Sequence, residues 1–444
     1  MSRCSLWASA VGAMLMLAGP CAAAQPQPDA VRPALLDSTS AAPSAAPTLR
    51  LDSLLAAAAR GNPSLQAARL KAEARAQRGA QAGALPDPTV GATAFPVPLV
   101  TARGEQRTQW RVQQAIPFPG KRTLRREVAD LGADVARADA QALEQTLALR
   151  IRRAYYTLVR VQSHEHSIRR FQADLEQFER AAIAQYEVGE EGQSAVLKAQ
   201  IERQRLQTRL EGLAAERQSA LQTLARLTGR AALAERDTQV AIPSRPDLPS
   251  TAPDEALDRR PEAEKLRRRI QQSEREAELA KTEQWPDFTV GAQYFDIAAS
   301  DLGPTMTGRD ALALSVGVTV PLWRGKQEAN IQEARIERRR AETQLEGLRL
   351  EVRTRLADLQ QQIERHRRQL TLLDETLLPK AETALETSLS GYRTGQNDFL
   401  DLLDAERTLF QLRLQRASVF ARLLTTQAEW ERTAGRVGLA DGGE

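Results

Sequence analysis

The chain has 444 residues, of which 61 are basic and 57 acidic; 42% are hydrophobic, only 4% are aromatic, and the calculated isoelectric point is 9.2. The small basic excess is interleaved with acids and never alternates with aromatics on one face, which argues against a nucleic-acid surface. Beyond the N-terminus no apolar run approaches the 18 or so residues of a membrane-spanning helix, so any membrane role must use strands.

The N-terminus has Arg3, an apolar run from Leu6 to Ala18 and then Ala22, Ala23 and Ala24. That is the layout of a cleaved secretory signal over residues 1–24, with the mature start at Gln25. Pro20 precedes Cys21 where lipoprotein processing needs a small residue, which argues against lipidation. Cleavage after Ala24 would remove Cys4 and Cys21 together, so the mature chain would hold no disulfide and rely on packing and assembly. Residues 25–48, rich in Pro, Ala and Ser, read as an extended leader.

The strongest feature is a duplication. Pro86-Asp-Pro-Thr-Val-Gly-Ala-Thr-Ala-Phe95 returns as Pro286-Asp-Phe-Thr-Val-Gly-Ala-Gln-Tyr-Phe295. Ile116-Pro117 answers Val320-Pro321, Gly120-Lys121 answers Gly325-Lys326, and Tyr186 with Gly189 answers Tyr392 with Gly395. The chain therefore reads as a first repeat over 49–241, a Pro-rich linker over 242–252, a second repeat over 253–436 and a tail over 437–444.

In chain order, each repeat opens with a helix: Leu51 to Gln81, with Asp52 as its cap and Pro63 interrupting it, and Asp254 to Lys281. Two extended segments follow. Leu312, Leu314, Val316, Val318 and Val320 alternate with small or polar residues, and Trp110, Val112 and Ile116 alternate with Arg111, Gln113 and Ala115. An apolar face backed by a polar one suits a lipid-embedded strand lining a watery lumen, and equally a half-buried soluble hairpin. Trp110 and Trp323 flank these strands and fit either a membrane interface or a core. Long helical stretches then run from about Thr123 to Gln185 and from about Gln327 to Leu389, each ~90 Å if continuous. Leu345, Leu348, Val352, Leu356, Leu359, Ile363, Leu370, Leu373 and Leu377 form a coiled-coil seam, with His366 filling one gap. Gly-containing breaks at 188–192 and 391–395 lead into returning helices from about Ser194 and Asp398.

Strands in lipid cannot leave their edges unpaired, and four strands cannot enclose a useful lumen, so several copies must share one barrel. The double module, the paired Pro-Asp-x-Thr-Val-Gly strands, the Phe118-Pro-Gly-Lys-Arg122 turn and the two Tyr-x-x-Gly breaks together resemble the TolC family of outer-membrane efflux proteins, over residues 51 to 436. The turn is most similar to the branch serving heavy-metal pumps of the cobalt-zinc-cadmium and copper-silver type. The resemblance implies a mainly α, internally duplicated channel-tunnel. Three chains would give a 12-stranded outer-membrane β-barrel and a coiled-coil α-barrel reaching through the periplasm. The implied partners are two further copies of the chain, a periplasmic adaptor, an inner-membrane RND-type pump and outer-membrane lipid. The chain itself would be a passive duct without cofactor, metal site or catalysis, its cargo metal ions, with drugs or secreted peptides as alternatives. A periplasmic coiled-coil adaptor is the rival of a different class, but it would carry one hairpin rather than two.

Asp401 and Asp404, three apart in Leu400-Asp-Leu-Leu-Asp-Ala405, share one helical face. The resemblance implies that they line the constricted periplasmic entrance as two rings of carboxylates, with Tyr392 a candidate contact for holding that entrance closed; acids in a first helical turn also simply suit the helix dipole. Their first-repeat counterparts are Ala195 and Lys198. Tyr186, Gly189 and Gly395 mark the hairpin breaks where an adaptor would dock. An Arg-to-Asp latch known in the family is missing, because Asn397 and Ala195 occupy its positions. His164 and His166, two apart on a helix, point away from each other and make no shared metal site.

Overall fold

The structure is a computed structural model describing residues 48–187, 192–235, 239–244, 252–299, 301–302 and 307–439. The signal segment, both cysteines, Gly189, most of the linker and the last five residues lie outside these. Among the described residues six strands and nine α-helices follow in order: β1 (Thr48–Leu49), α1 (Leu51–Gly61), α2 (Pro63–Gly83), β2 (Thr89–Thr101), β3 (Gly104–Ile116), α3 (Lys121–Glu187), α4 (Gln193–Thr228), β4 (Gln239–Val240), α5 (Pro253–Asp258), α6 (Pro261–Thr282), β5 (Asp287–Ala298), β6 (Ala311–Thr319), α7 (Arg324–Leu372), α8 (Leu378–Arg393) and α9 (Phe399–Thr433).

The strands β2, β3, β5 and β6 form one antiparallel sheet in that order, so β2 and β6 are its two open edges. Register places Val90, Val112, Ala292 and Leu314 in one row, Trp110, Tyr294 and Leu312 in the next, and Ile116, Phe288 and Val318 in another. All lie on one apolar face, which the chain leaves in the open: Leu312, Leu314 and Val316 are 71%, 81% and 75% exposed. Rows on the opposite face join Gly91, Arg111, Gln293 and Ala313, and Thr89, Gln113, Gly291 and Ser315. There the Gln109 amide donates to Gln293 at 2.9 Å. A sheet wet on one side and greasy on the other, with the greasy side uncovered, has the two faces of a barrel wall in lipid. Pro96 and Pro98 are tolerated in β2 because it is an edge strand, and its register shifts between Ala94 and Leu99 to accommodate them.

Sheet and helices are joined by the duplicated motif itself. Lys121 at the start of α3 is 3% exposed, and its ammonium donates to Asp287 Oδ1 at 2.8 Å and to the Trp285 carbonyl at 2.7 Å. The Phe118 amide donates to the same Asp287 oxygen at 2.8 Å, and the Phe118 ring stacks on Trp285 with centroids 5.5 Å apart. The turn of the first repeat thus grips the Pro-Asp entrance of the second.

The helices form a wall. Nearest the sheet, α2, α3, α6 and α7 stand side by side in that order; farther out α4, α3, α9 and α7 with α8 do the same. α3 is unbroken over 67 residues. The counterpart in the second repeat is not continuous: a π-turn at Leu373–Leu377 separates α7 from α8, with the Leu378 amide donating back to the Leu373 carbonyl. Pro379 is the cause, since it has no N–H and its ring crowds the carbonyl four residues earlier. The expected seam is there, with Val352, Leu356, Leu359, Ile363, His366, Leu370 and Leu373 buried. Asp52 is not a cap: Arg50 holds the N-cap position of α1 and Asp52 lies in the first turn. The side chain that caps is Asn62, accepting from the Leu65 amide at 2.9 Å at the head of α2 and donating to the Leu227 carbonyl at 2.9 Å. Pro261 likewise divides the opening helix of the second repeat into α5 and α6. A two-rung parallel pair, β1 with β4, was not foreshadowed by periodicity; the Tyr155 hydroxyl donates to the carbonyls of Leu49 and Ala241 and pins it to α3.

Leu314→Arg puts a charge on the greasy face and should cost about 2–4 kcal/mol at mid-membrane depth. Ser315→Arg, one residue on, points to the polar face. The outer-membrane yield of folded protein should fall sharply for the first and hold for the second; equal yields would refute the assignment of faces.

Candidate functional site

The end of the wall farthest from the sheet is where the two hairpins turn. α8 ends in a Schellman cap: the Gln396 amide donates to the Gly391 carbonyl at 2.8 Å and the Gly395 amide to the Tyr392 carbonyl at 3.2 Å. Gly395 takes φ 74°, which explains the glycine of that Tyr-x-x-Gly break. A Cβ on Gly391 would lie 2.5 Å from the Asn397 side-chain Nδ2, so a larger residue there would have to displace that side chain. Asn397, the residue at the latch position, is therefore folded back onto its own turn.

From this cap α9 departs with alternating commitments. Phe399, Leu402 and Leu403 are buried, and Phe399 meets Tyr392 edge to face at 6.1 Å. Tyr392 is 5% exposed in this core, whereas Tyr186, its first-repeat counterpart, is 49% exposed. Asp401 and Asp404 face outward together, in a shallow groove lined by Ala381, Ala384 and Ser388 of α8 and by Asn397, Ala405 and Thr408. The small side chains of α8 leave both carboxylates open to solvent. The structure thus brings Asp401 and Asp404 to one face and places Tyr392 on another. In the first repeat Ala195 is buried and Lys198 exposed, so the two returning helices do not present equivalent faces.

Ion pairs link the helices within each hairpin and, through Glu202 and Arg407, one hairpin to the other. Glu202 of α4 accepts from Arg407 of α9 and lies 3.6 Å from Arg205; Arg203 reaches Glu179 at 3.2 Å; Arg413 reaches Glu382 of α8 at 3.2 Å; and Arg416 reaches Asp374 in the π-turn at 2.6 Å. His164 bridges α3 to α9, its Nε2 lying 3.1 Å from both the Leu414 carbonyl and the Ser418 hydroxyl. Among the described residues no group of three acids, histidines or cysteines is placed to hold a metal.

Sequence reasoning missed Glu406. It is fully buried on α9, and neither carboxylate oxygen meets a hydrogen-bond donor among the described residues. Burial, and then the Asp174 carboxylate, push its pKa up to about 7 against the pull of Arg413 and Arg170. An acid breaking the apolar series Leu402, Leu403, Phe410, Leu414 was the available signal.

A carboxyl whose folded pKa lies above its unfolded value stabilises the fold only while protonated. Stability should therefore fall as pH climbs from about 4.5 to 7, by about 3 kcal/mol at this group, with no further loss above. Glu406→Gln should remove that slope, raising the melting temperature at pH 8 while leaving pH 4.5 nearly unchanged. Parallel pH profiles for variant and wild type would contradict it.

Residues 252–436 match the family described as outer membrane efflux protein. Over 398 residues the chain is 25% identical to the cobalt-zinc-cadmium resistance protein CzcC of Cupriavidus metallidurans, covering 88% of this chain and 91% of that protein. Its fold is that of solved outer-membrane channels. VceC of Vibrio cholerae matches with a TM-score of 0.72 at 20% identity, covering 87% of this chain and 96% of that one. The open state of MtrE of Neisseria gonorrhoeae matches with a TM-score of 0.74 at 18% identity, covering 89% and 91%. A two-faced four-stranded sheet, a wall of long helices and these likenesses agree: residues 252–436 match the outer membrane efflux protein family, on a chain with the fold of solved outer-membrane channels.

Proposed function

We propose that three copies of this chain form the passive exit duct of a tripartite efflux system, with energy supplied by an inner-membrane pump and delivery through a periplasmic adaptor. The observation that carries this reading is the sheet, whose apolar face is uncovered and whose two edges are open. Unpaired backbone in hydrocarbon is too costly to persist, so copies must close the barrel, and three copies of four strands enclose an aqueous lumen. The helix wall, four abreast and open at both sides, closes with it into a hollow cylinder. Translocation through such a tube needs no chemistry from the chain, and the reading includes no enzymatic step.

Heavy-metal cations are the proposed cargo, supported by the likeness to a cobalt-zinc-cadmium resistance protein and by the Phe118-Pro-Gly-Lys-Arg122 turn. In the closed cylinder Asp401 and Asp404 form paired carboxylate rings at the periplasmic entrance, attracting cations and resisting anions. Tyr392 acts from behind, as packing that sets where α9 begins, and the hairpin ends at Tyr186, Gly189 and Gly395 are the docking points for the adaptor.

Two measurements test this. Deleting the gene should raise sensitivity to zinc, cobalt, cadmium, copper or silver; sensitisation to a drug panel alone would replace the cargo assignment. In planar bilayers, Asp401→Ala with Asp404→Ala should lower cation over anion selectivity severalfold, and unchanged selectivity and conductance would remove these residues from the gate.

A further inference from the structure

The two repeats keep one register. Thr89 pairs with Gln113 in the first hairpin and Thr289 with Gly317 in the second, so β5 follows β2 at a spacing of 200 and β6 follows β3 at 204. Val90 with Val112 and Val290 with Val316 repeat the match. Within the sheet the repeats meet once. There β3 pairs with β5, placing Arg111 opposite Gln293, Gln113 opposite Gly291 and Ala115 opposite Thr289, and Lys121 clamps Trp285 and Asp287 beside that seam.

At its two outer edges the chain carries both halves of a second such junction, unjoined. Beside β6 stand Leu322, Trp323 and Lys326; beside β2 stand Leu85 and Asp87. The turn at Lys326 has the shape of the turn at Lys121: the Lys326 amide donates to the Trp323 carbonyl at 3.1 Å, as the Lys121 amide does to the Phe118 carbonyl at 3.1 Å. One extra residue in the second turn puts two apolar side chains where the first has Phe118. Every one of these groups is exposed, with Trp323 at 78%, Leu322 at 75% and Leu85 at 46%, while Lys121 in the completed junction is 3% exposed. Among the described residues neither Lys326 nor Asp87 has an ion-pair partner within the chain.

We propose that a second copy of this chain completes the junction, with Lys326 donating to Asp87 and to the Leu85 carbonyl of the neighbouring copy and β6 pairing with that copy's β2. The internal spacings fix the register of this seam: Ser315 opposite Thr93, Gly317 opposite Gly91 and Thr319 opposite Thr89 of the neighbour. Leu322 and Trp323 pack over the neighbour's Leu85 as Phe118 packs over Trp285. Pro96 and Pro98, which have no N–H to give, fall beyond these rungs at the end of the seam nearest the hairpin turn. This rests on the shared-barrel reading above and adds to it the seam's register and its ion pair.

Cysteine pairs in the full-length protein, purified from outer membranes and oxidised, test the register against single-cysteine parents. Thr93→Cys with Ser315→Cys should give a reducible ladder of linked chains. Thr89→Cys with Ser315→Cys, displaced by four residues or about 13 Å along the strand, should not. Lys326→Asp and Asp87→Lys should each reduce the heat-stable oligomer severalfold, and the two together should restore it. A ladder from the displaced pair, or oligomers indifferent to either charge reversal, would overturn the junction while leaving the shared barrel intact. Membrane-inserted monomers with no cross-link from either pair would overturn both.

Discussion

In the sheet of β2, β3, β5 and β6, one side of β2 and one side of β6 have no strand beside them among the described residues. In water such edges can be solvated, but the apolar face that flanks them fits hydrocarbon, where an unpaired N–H or C=O costs several kcal/mol. That constraint reaches beyond the strands. Lys121 fastens the head of α3 to the entrance of β5, so the lateral order of strands dictates the lateral order of helices. An edge at β2 becomes an edge at α2, and an edge at β6 becomes an edge at α7. Whatever closes the sheet closes the wall.

The joint that transmits this order combines three interactions that fail differently. An almost fully buried ammonium with a single carboxylate and a carbonyl leaves a charge stranded if the carboxylate is lost. The Phe118 ring on Trp285 adds contact area that depends on the turn's shape rather than on charge. The backbone amide of Phe118 fixes the carboxylate from the other side. Together they hold the entry angle of a 67-residue helix, where a small angular error would become a large displacement at the far end.

The internal duplication, the alternation of β6 and the α7 seam were legible because each rests on a regular period in residue type. What was hidden depends on single residues acting through tertiary neighbours. Asp52 looked like a cap because caps are acidic or hydroxylic, yet the chain starts its helix at Leu51 and leaves Asp52 inside it. Pro379 stands in the sequence, but its effect, a π-turn five residues long, follows from neighbouring carbonyls rather than from composition. The pair β1 with β4 is two residues on each side, too short for any period. Glu406 broke a readable apolar series, but only packing shows that α3 closes over it with Asp174 nearby. The carboxylates Asp401 and Asp404 could be placed on one face by spacing; the small side chains of α8 that keep that face open could not.

The repeats are most alike at the sheet and least alike at the opposite end. The first contributes an uninterrupted α3 and a buried Ala195; the second contributes a π-turn, a proline within helical chain, two open carboxylates and the buried acid Glu406. Three of these features of the second hairpin remove something that stiffens a helix pair. The π-turn spoils the regular ladder, the proline deletes a backbone bond, and Glu406 introduces a group whose desolvation opposes close packing when ionised. In the proposed cylinder of alternating hairpins, deformation would concentrate in the compliant ones while the stiff ones hold the frame. The duplicated segment supplies a repeated wall, and the features particular to the second copy give that wall a soft element without loosening the joint at Lys121.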